Sequence, residues 1–193
     1  TRLTVPARGR ILRSKKTMAA TPSLWVSADE RTAFLKICGR ATFNQSVDFK
    51  RFAHETLSRG YRDFVLDLSE CLIMDSTFLG TLTGAALNLR ESGSGEVSVL
   101  NANSRNQQLL TSLGLDHILD VDRDGSKYCS ERQQVCSELN TCADDPAPCP
   151  KQEQAAQVLE AHEALTRANA ENAARFRDVI DFLEQELRAG SST

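Results

Sequence analysis

Between residues 24 and 122 the chain alternates short apolar runs with stretches whose apolar residues recur every three or four positions. Residues 24–27 and 33–38 read as two strands, and the turn-like Ala28, Asp29, Glu30 and Arg31 between them suit a hairpin. Phe49, Phe52, Ala53, Thr56 and Leu57 fall on one helical face, which Gly60 is placed to close. Residues 64–69 are a compact strand broken only by Asp67, and Glu70, Cys71, Leu72, Ile73 and Met74 read as a short loop. Leu79, Leu82, Ala86 and Leu89 then step by three, four and three, so residues 76–90 predict a helix ending before the turn Gly93-Ser94-Gly95. Residues 97–101 predict a strand, residues 104–113 a helix closed by Gly114, and residues 117–121 a last strand.

Strands separated by helices of this length build βαβ units with right-handed crossovers and parallel pairing. The expected architecture is therefore α/β, a mostly parallel sheet with helices packed on it. In such sheets the functional surface lies beyond the carboxyl ends of the strands, where loops feed helix N-termini. Asp75 and Ser76 occupy that position.

The rest of the chain has a different texture. Residues 123–150 hold few large apolar residues, end in Asp144-Asp145-Pro146-Ala147-Pro148-Cys149-Pro150, and read as a linker. Residues 151–188 contain neither Gly nor Pro and are rich in Ala, Glu, Gln and Leu, which allows one amphipathic helix of about 57 Å. Val158, His162, Leu165, Asn169, Asn172, Phe176, Val179 and Leu183 step by four and three along it as a heptad seam, polar in the middle. Such a helix either packs on its own domain or drives a homodimer through residues 158–187.

Composition narrows the class. Apolar residues make up 40% and charged residues 25%, enough for a packed core, and no run approaches the roughly 18 apolar residues of a membrane span. Residues 1–17 carry six basic residues and no acid, leaving the other 176 residues with 17 basic and 26 acidic, a net charge of −9. The basic stretch suits nucleic acid, an anionic membrane or a transit peptide, but the plainer expectation for residues 1–22 is a disordered leader, with Met18 as a sensible start. No nucleic-acid or membrane partner is expected. Without a secretion signal the six cysteines are expected as thiols in a reducing, cytoplasmic setting. Cys129, Cys136, Cys142 and Cys149 lack paired zinc-ligand spacing, so no metal or other cofactor is expected.

Chemistry concentrates at Asp75-Ser76-Thr77-Phe78-Leu79-Gly80. Either Asp75 or Ser76 is suited to cap the helix that follows, and a phosphate on Ser76 would meet the positive end of that helix. Enzymatic readings are weak. His54, His117 and His162 are scattered over a helix, a strand and the terminal helix, so a Ser-His-Asp arrangement needs coincidences, and there is no G-x-x-x-x-G-K-[ST] loop.

The run from Asp67-Leu68-Ser69 through DSTFLG, then residues 97–101, then Leu109-Leu110-Thr111-Ser112-Leu113-Gly114-Leu115, resembles the STAS domain of bacterial anti-sigma-factor antagonists, and Gly39-Arg40-Ala41-Thr42 matches that family's glycine-led loop. The resemblance covers residues 23–122. It implies a four- to five-stranded, mostly parallel sheet with helices on one face, here followed by a long C-terminal helix over residues 151–189. It further implies partner switching: the unphosphorylated protein binds an anti-sigma factor that is also a serine kinase, phosphorylation of Ser76 releases it, and a phosphatase resets the system. Thr77 is the alternative acceptor. Asn44, Gln45, Ser46, Asp75, Ser76, Thr77, Phe78, Asn101 and Asn103 are the expected contact surface, and the chain itself catalyses nothing. Many members carry glycine where this chain has Phe78, a bulky residue that would narrow kinase access or supply an apolar anchor. The alternatives are a scaffold that assembles through its C-terminal helix, with Ser76 merely capping, and a small-ligand or lipid-pathway accessory module. The switching account needs the Ser76 hydroxyl presented to solvent.

Overall fold

The computed structural model describes residues 23–29, 32–93, 95–123, 126–128, 140–141 and 150–190. The expected leader and Cys129, Cys136, Cys142 and Cys149 lie outside these residues. Strands β1 (Ser23–Asp29) and β2 (Thr32–Ala41) form the expected antiparallel hairpin. Three crossovers follow: α1 (Phe43–Ser58) leads to β3 (Asp63–Met74), α2 (Ser76–Glu91) to β4 (Val97–Leu100), and α3 (Ser104–Ser112) to β5 (Asp120–Val121). Strands β2 to β5 pair in parallel, and the sheet order is β5-β4-β3-β2-β1-β6, where β6 (Asn140–Thr141) is a short antiparallel edge inside the stretch expected to be linker.

Period-two alternation divides the sheet into two faces. Ala33, Leu35 and Ile37 of β2, Phe64, Leu66 and Leu68 of β3, and Val97 and Val99 of β4 face the main core, where Phe49, Phe52, Phe78, Leu79, Leu82, Leu110 and Leu165 from the helices cover them. Phe34, Val65 and Leu100 point the other way, with Tyr128 against them. Helices thus lie over one face, as expected.

Three local expectations need correction. Residues 70–74 are not a loop: β3 runs on to Met74 because the far end of β2 stays paired with it through two register shifts, between Lys36 and Cys38 and between Gly39 and Arg40. Residues 117–121 hold only a two-residue strand, because a 3-10 turn over Leu115–His117 follows the left-handed Gly114 (φ 68°). The C-terminal stretch is helical over the expected range but in two pieces, α4 (Lys151–Ala168) and α5 (Glu171–Gly190), separated by the extended Asn169.

The two pieces fold into an antiparallel hairpin, bringing Gly190 beside Gln152. The polar seam residues explain the break. Asn169 accepts from the Glu171 amide at 3.0 Å, and Asn172, 1% exposed, donates to the carbonyls of Leu165 (2.9 Å) and Leu113 (3.0 Å). Gly114 leaves room for this turn, since a Cβ there would lie 2.7 Å from Asn169 Nδ2. The seam is therefore interrupted, and Leu165, His162 and Leu183 are buried within the chain rather than lining one continuous surface for a homodimer.

Phe78 is fully buried and packs its ring 6.1 Å from that of Phe49. Removing it leaves a cavity at the junction of α1, α2 and the sheet. Phe78→Ala is expected to cost about 3–5 kcal/mol, read as a lowered urea midpoint with an unchanged slope.

Candidate functional site

Parallel pairing places the carboxyl ends of β2, β3 and β4 at one edge, so the N-termini of α1, α2 and α3 gather there. Hydrogen bonds to backbone carbonyls lock the edge: the Asp75 backbone amide donates to the Ala41 carbonyl at 3.0 Å, and the side-chain amides of Asn103 and Asn106 donate to the Cys71 carbonyl at 2.8 and 3.2 Å. Each helix start has its own cap. Gln45 Oε1 accepts from the Thr42 amide (3.1 Å) and hydroxyl (2.9 Å), Asp75 accepts from the Phe78 amide (2.8 Å), and Asn103 accepts from the Asn106 amide (2.9 Å). Asp75, not Ser76, is the N-cap of α2.

The expected contact residues separate into two groups. Asn44, Asp75, Asn101 and Asn103 are exposed, and Asn101, with φ 56°, donates to Asp67 at 2.8 Å. Gln45, Ser46, Thr77 and Phe78 are buried. Ser46 and Gln45 are consumed by local hydrogen bonds at the start of α1. Thr77 and Phe78 turn inward because a helix rotates about 100° per residue, so neighbours of an outward serine point elsewhere. Phe78 is thus a core residue, not an anchor for a partner.

Ser76 is half-buried, and its hydroxyl is not free. Oγ lies 3.0 Å from Nε2 of His162 on α4. His162 is 4% exposed, and its Nδ1 lies 2.7 Å from the Val158 carbonyl, which can only accept, so Nδ1 carries a hydrogen. In the neutral ring Nε2 is then the acceptor and Ser76 the donor. Phe176 of α5 closes over the imidazole with its ring 5.0 Å away at 71°.

This contact sits at the head of a tight helix interface. A Cβ on Gly80 would stand 2.1 Å from the Ala161 carbonyl oxygen, so the backbones of α2 and α4 touch where a side chain is missing. One turn on, a Cβ on Gly84 would lie 3.6 Å from Ala164 Cβ. Lys50 of α1 pairs with Glu160 of α4 at the rim. The hairpin therefore lies along α2 from Ser76 to beyond Gly84, and the expectation of an unobstructed hydroxyl is corrected.

Sequence reading missed both His162 and the glycine pair. The serine and histidine are 86 residues apart, with no local signal. The glycines did leave one: two of them four positions apart inside a helix weaken it unless another backbone needs the space. The serine–histidine pair has no carboxylate on Nδ1, so it lacks the third member of a hydrolytic triad. Among the described residues no three His, Cys, Asp or Glu side chains cluster as metal ligands, and no helix is long and apolar enough to cross a membrane. Cys71 is buried beneath the site, and desolvation pushes its thiol above the ordinary range.

Residues 25–120 match the family described as Mlab, STAS domain. The chain carries a STAS domain. Solved structures with similar chain traces include the anti-sigma factor antagonist SpoIIAA in its unphosphorylated form, at 13% identity and TM-score 0.49 over 57% of this chain and 97% of that one. The Bacillus SpoIIAA in the phosphorylated form aligns at 13% identity and TM-score 0.46 over 58% and 99%. An anti-sigma factor antagonist from Mycobacterium paratuberculosis aligns at 12% identity and TM-score 0.47 over 62% and 97%. Comparison with curated proteins gives no significant match. The STAS domain thus spans β1 to β5, and the α4–α5 hairpin lies beyond the matched segment, docked on the domain's α2.

Gly80→Ala tests the interface. Alanine favours a helix interior over glycine by about 1 kcal/mol, yet here it is expected to destabilise, because its Cβ meets the Ala161 carbonyl. A lower urea midpoint together with faster amide exchange across α4 is the expected readout.

Proposed function

We propose that this STAS domain is a protein-binding switch of the anti-sigma-factor-antagonist type, with Ser76 as its phosphoacceptor. The single observation that carries the reading is the placement of Ser76: it is the first residue of α2, directly after the cap Asp75, at the carboxyl edge of a parallel sheet within the matched STAS segment. The partner is an anti-sigma factor that is also a serine kinase, and it docks across the exposed edge residues Asn44, Asp75, Asn101 and Asn103. Thr77 is the poorer acceptor because it is buried. In the transfer, Ser76 Oγ bonds to the γ-phosphorus of ATP, the bond to the β,γ-bridging oxygen breaks, ADP leaves, and the hydroxyl proton passes to the kinase's base. This chain is the substrate of that step and catalyses nothing.

The physical basis of switching is charge. A phosphoserine brings nearly two negative charges, which the N-terminus of α2 stabilises, whereas a partner surface packed over the site without a matching cation pays several kcal/mol to desolvate them. That is enough to dissociate a micromolar complex. A phosphatase restores binding by hydrolysing the ester.

A second reading has a specific observation in its favour. The Ser76 hydroxyl is hydrogen-bonded to His162, so the serine is suited to serve as a fixed contact that holds the hairpin, within a scaffold that is never phosphorylated. Incubating the wild-type chain and Ser76→Ala with ATP and a serine-kinase anti-sigma factor, followed by peptide mass spectrometry, separates the two. The expected result is one added phosphoryl group on the peptide containing Ser76 and none in Ser76→Ala. Label that persists in Ser76→Ala moves the site elsewhere, and an unlabelled wild type favours the scaffold.

A further inference from the structure

We infer that the α4–α5 hairpin is the chain's own occupant of the α2 face and that a phosphate on Ser76 undocks it. The inference rests on Ser76 being the phosphoacceptor, and it assigns a regulatory role to a segment outside the matched STAS domain.

The chemistry of one hydrogen bond carries the argument. With the ring neutral and Nδ1 carrying the hydrogen, Ser76 donates to His162 Nε2, and it can do so only while Oγ carries a hydrogen. Esterification removes that hydrogen, so the lone pair of Nε2 then faces an ester oxygen and a phosphoryl group of like electron density. The ring cannot answer by exchanging tautomers, because Nδ1–H is committed to the Val158 carbonyl at 2.7 Å. A phosphorus and three oxygens also do not fit in a 3.0 Å gap, and α4 cannot shift sideways to admit them while the Ala161 carbonyl sits in the niche left by Gly80. A close-packed contact of this kind is either docked or open, not gradually deformed.

The charge goes to the STAS side of the interface. The free amides at the start of α2 favour the dianion where it is attached, so the phosphate stays and the hairpin leaves. Apart from the apolar packing of Ala161, Ala164, Leu165 and Phe176 against the domain, the hairpin is held by Asn172 and Arg175 on the carbonyls of Leu113 and Ser112 and by a rim ion pair of Lys50 with Glu160. Before phosphorylation, the hairpin and any protein that docks over Ser76 compete for the same face. After phosphorylation, both are rejected by the same group.

Hydrogen exchange on the full chain tests this directly. Phosphoserine is installed at position 76 by genetic encoding, and its exchange is compared with that of the unmodified chain. Peptides from residues 151–190 are expected to exchange about tenfold faster or more, equivalent to about 1.4 kcal/mol of lost docking, while β2, β3 and β4 keep their protection. Treatment with a protein phosphatase is expected to restore the hairpin's protection. Unchanged or increased protection overturns the inference, as would occur if His162 took up a proton and gripped the phosphate. Loss of protection throughout the sheet, or failure to recover it on dephosphorylation, overturns it as well. Neither kinase nor anti-sigma factor enters the experiment. A negative result here leaves partner switching standing, and a failed kinase labelling leaves a positive result here intact.

Discussion

The functional end of this molecule depends on the contact of two helix backbones at Gly80. A single missing side chain lets the Ala161 carbonyl settle against α2, and that approach sets the height at which His162 meets Ser76. With any larger residue at Gly80, the helices separate and the serine–histidine hydrogen bond lengthens with them. The steric fit and the hydrogen bond are two parts of one interface, the first fixing distance and the second making that distance chemically sensitive. A hydrogen bond of this type contributes only about 1 kcal/mol net, but leaving a buried acceptor unpaired costs about 1–3 kcal/mol.

The sheet supplies the frame for that sensitivity. Bulged pairing of β3 with the end of β2 carries the strand to Met74, and the Asp75 amide is then tied to the Ala41 carbonyl, so the start of α2 has a fixed position at the edge. Phe78 anchors the first turn of α2 in the core from below. Ser76 is held between the edge of the sheet below and the docked hairpin above. Such an arrangement suits a residue whose modification is to change what packs over it without disturbing the fold beneath.

Much of the fold was legible because its signals are local. Alternating apolar residues in β2, β3 and β4, helical spacing in α1 and α2, and Gly114 as a helix stop all follow from neighbouring residues, and they suffice for a parallel sheet with helices on one face. The extension of β3 was not legible, since Ser69 and Glu70 interrupt the apolar pattern and only pairing with β2 keeps them extended. Asn169 and Asn172 were visible as polar residues in an apolar seam. Their meaning, a turn in which Asn169 accepts from the Glu171 amide and Asn172 donates to the carbonyls of Leu113 and Leu165, depends on where the hairpin docks. At the site, sequence singled out Asp75 and Ser76 correctly as the hinge from strand to helix but placed Phe78 on the surface and left His162 unassigned. Proximity in sequence to an outward-facing serine does not imply a shared face, and a partner 86 residues away has no local signature.

The docked hairpin is the claim on which the account stands, and disulfide trapping addresses it most directly. A Cβ at Gly84 would lie 3.6 Å from that of Ala164, within the range of a relaxed disulfide. In the unphosphorylated Gly84→Cys, Ala164→Cys chain, mild oxidation should join these two positions rapidly and in high yield, as identified by mass spectrometry of the linked peptides. If the pair stays reduced, or links no faster than an arbitrary pair of surface cysteines, the hairpin does not rest on α2 and the control of Ser76 by His162 falls with it.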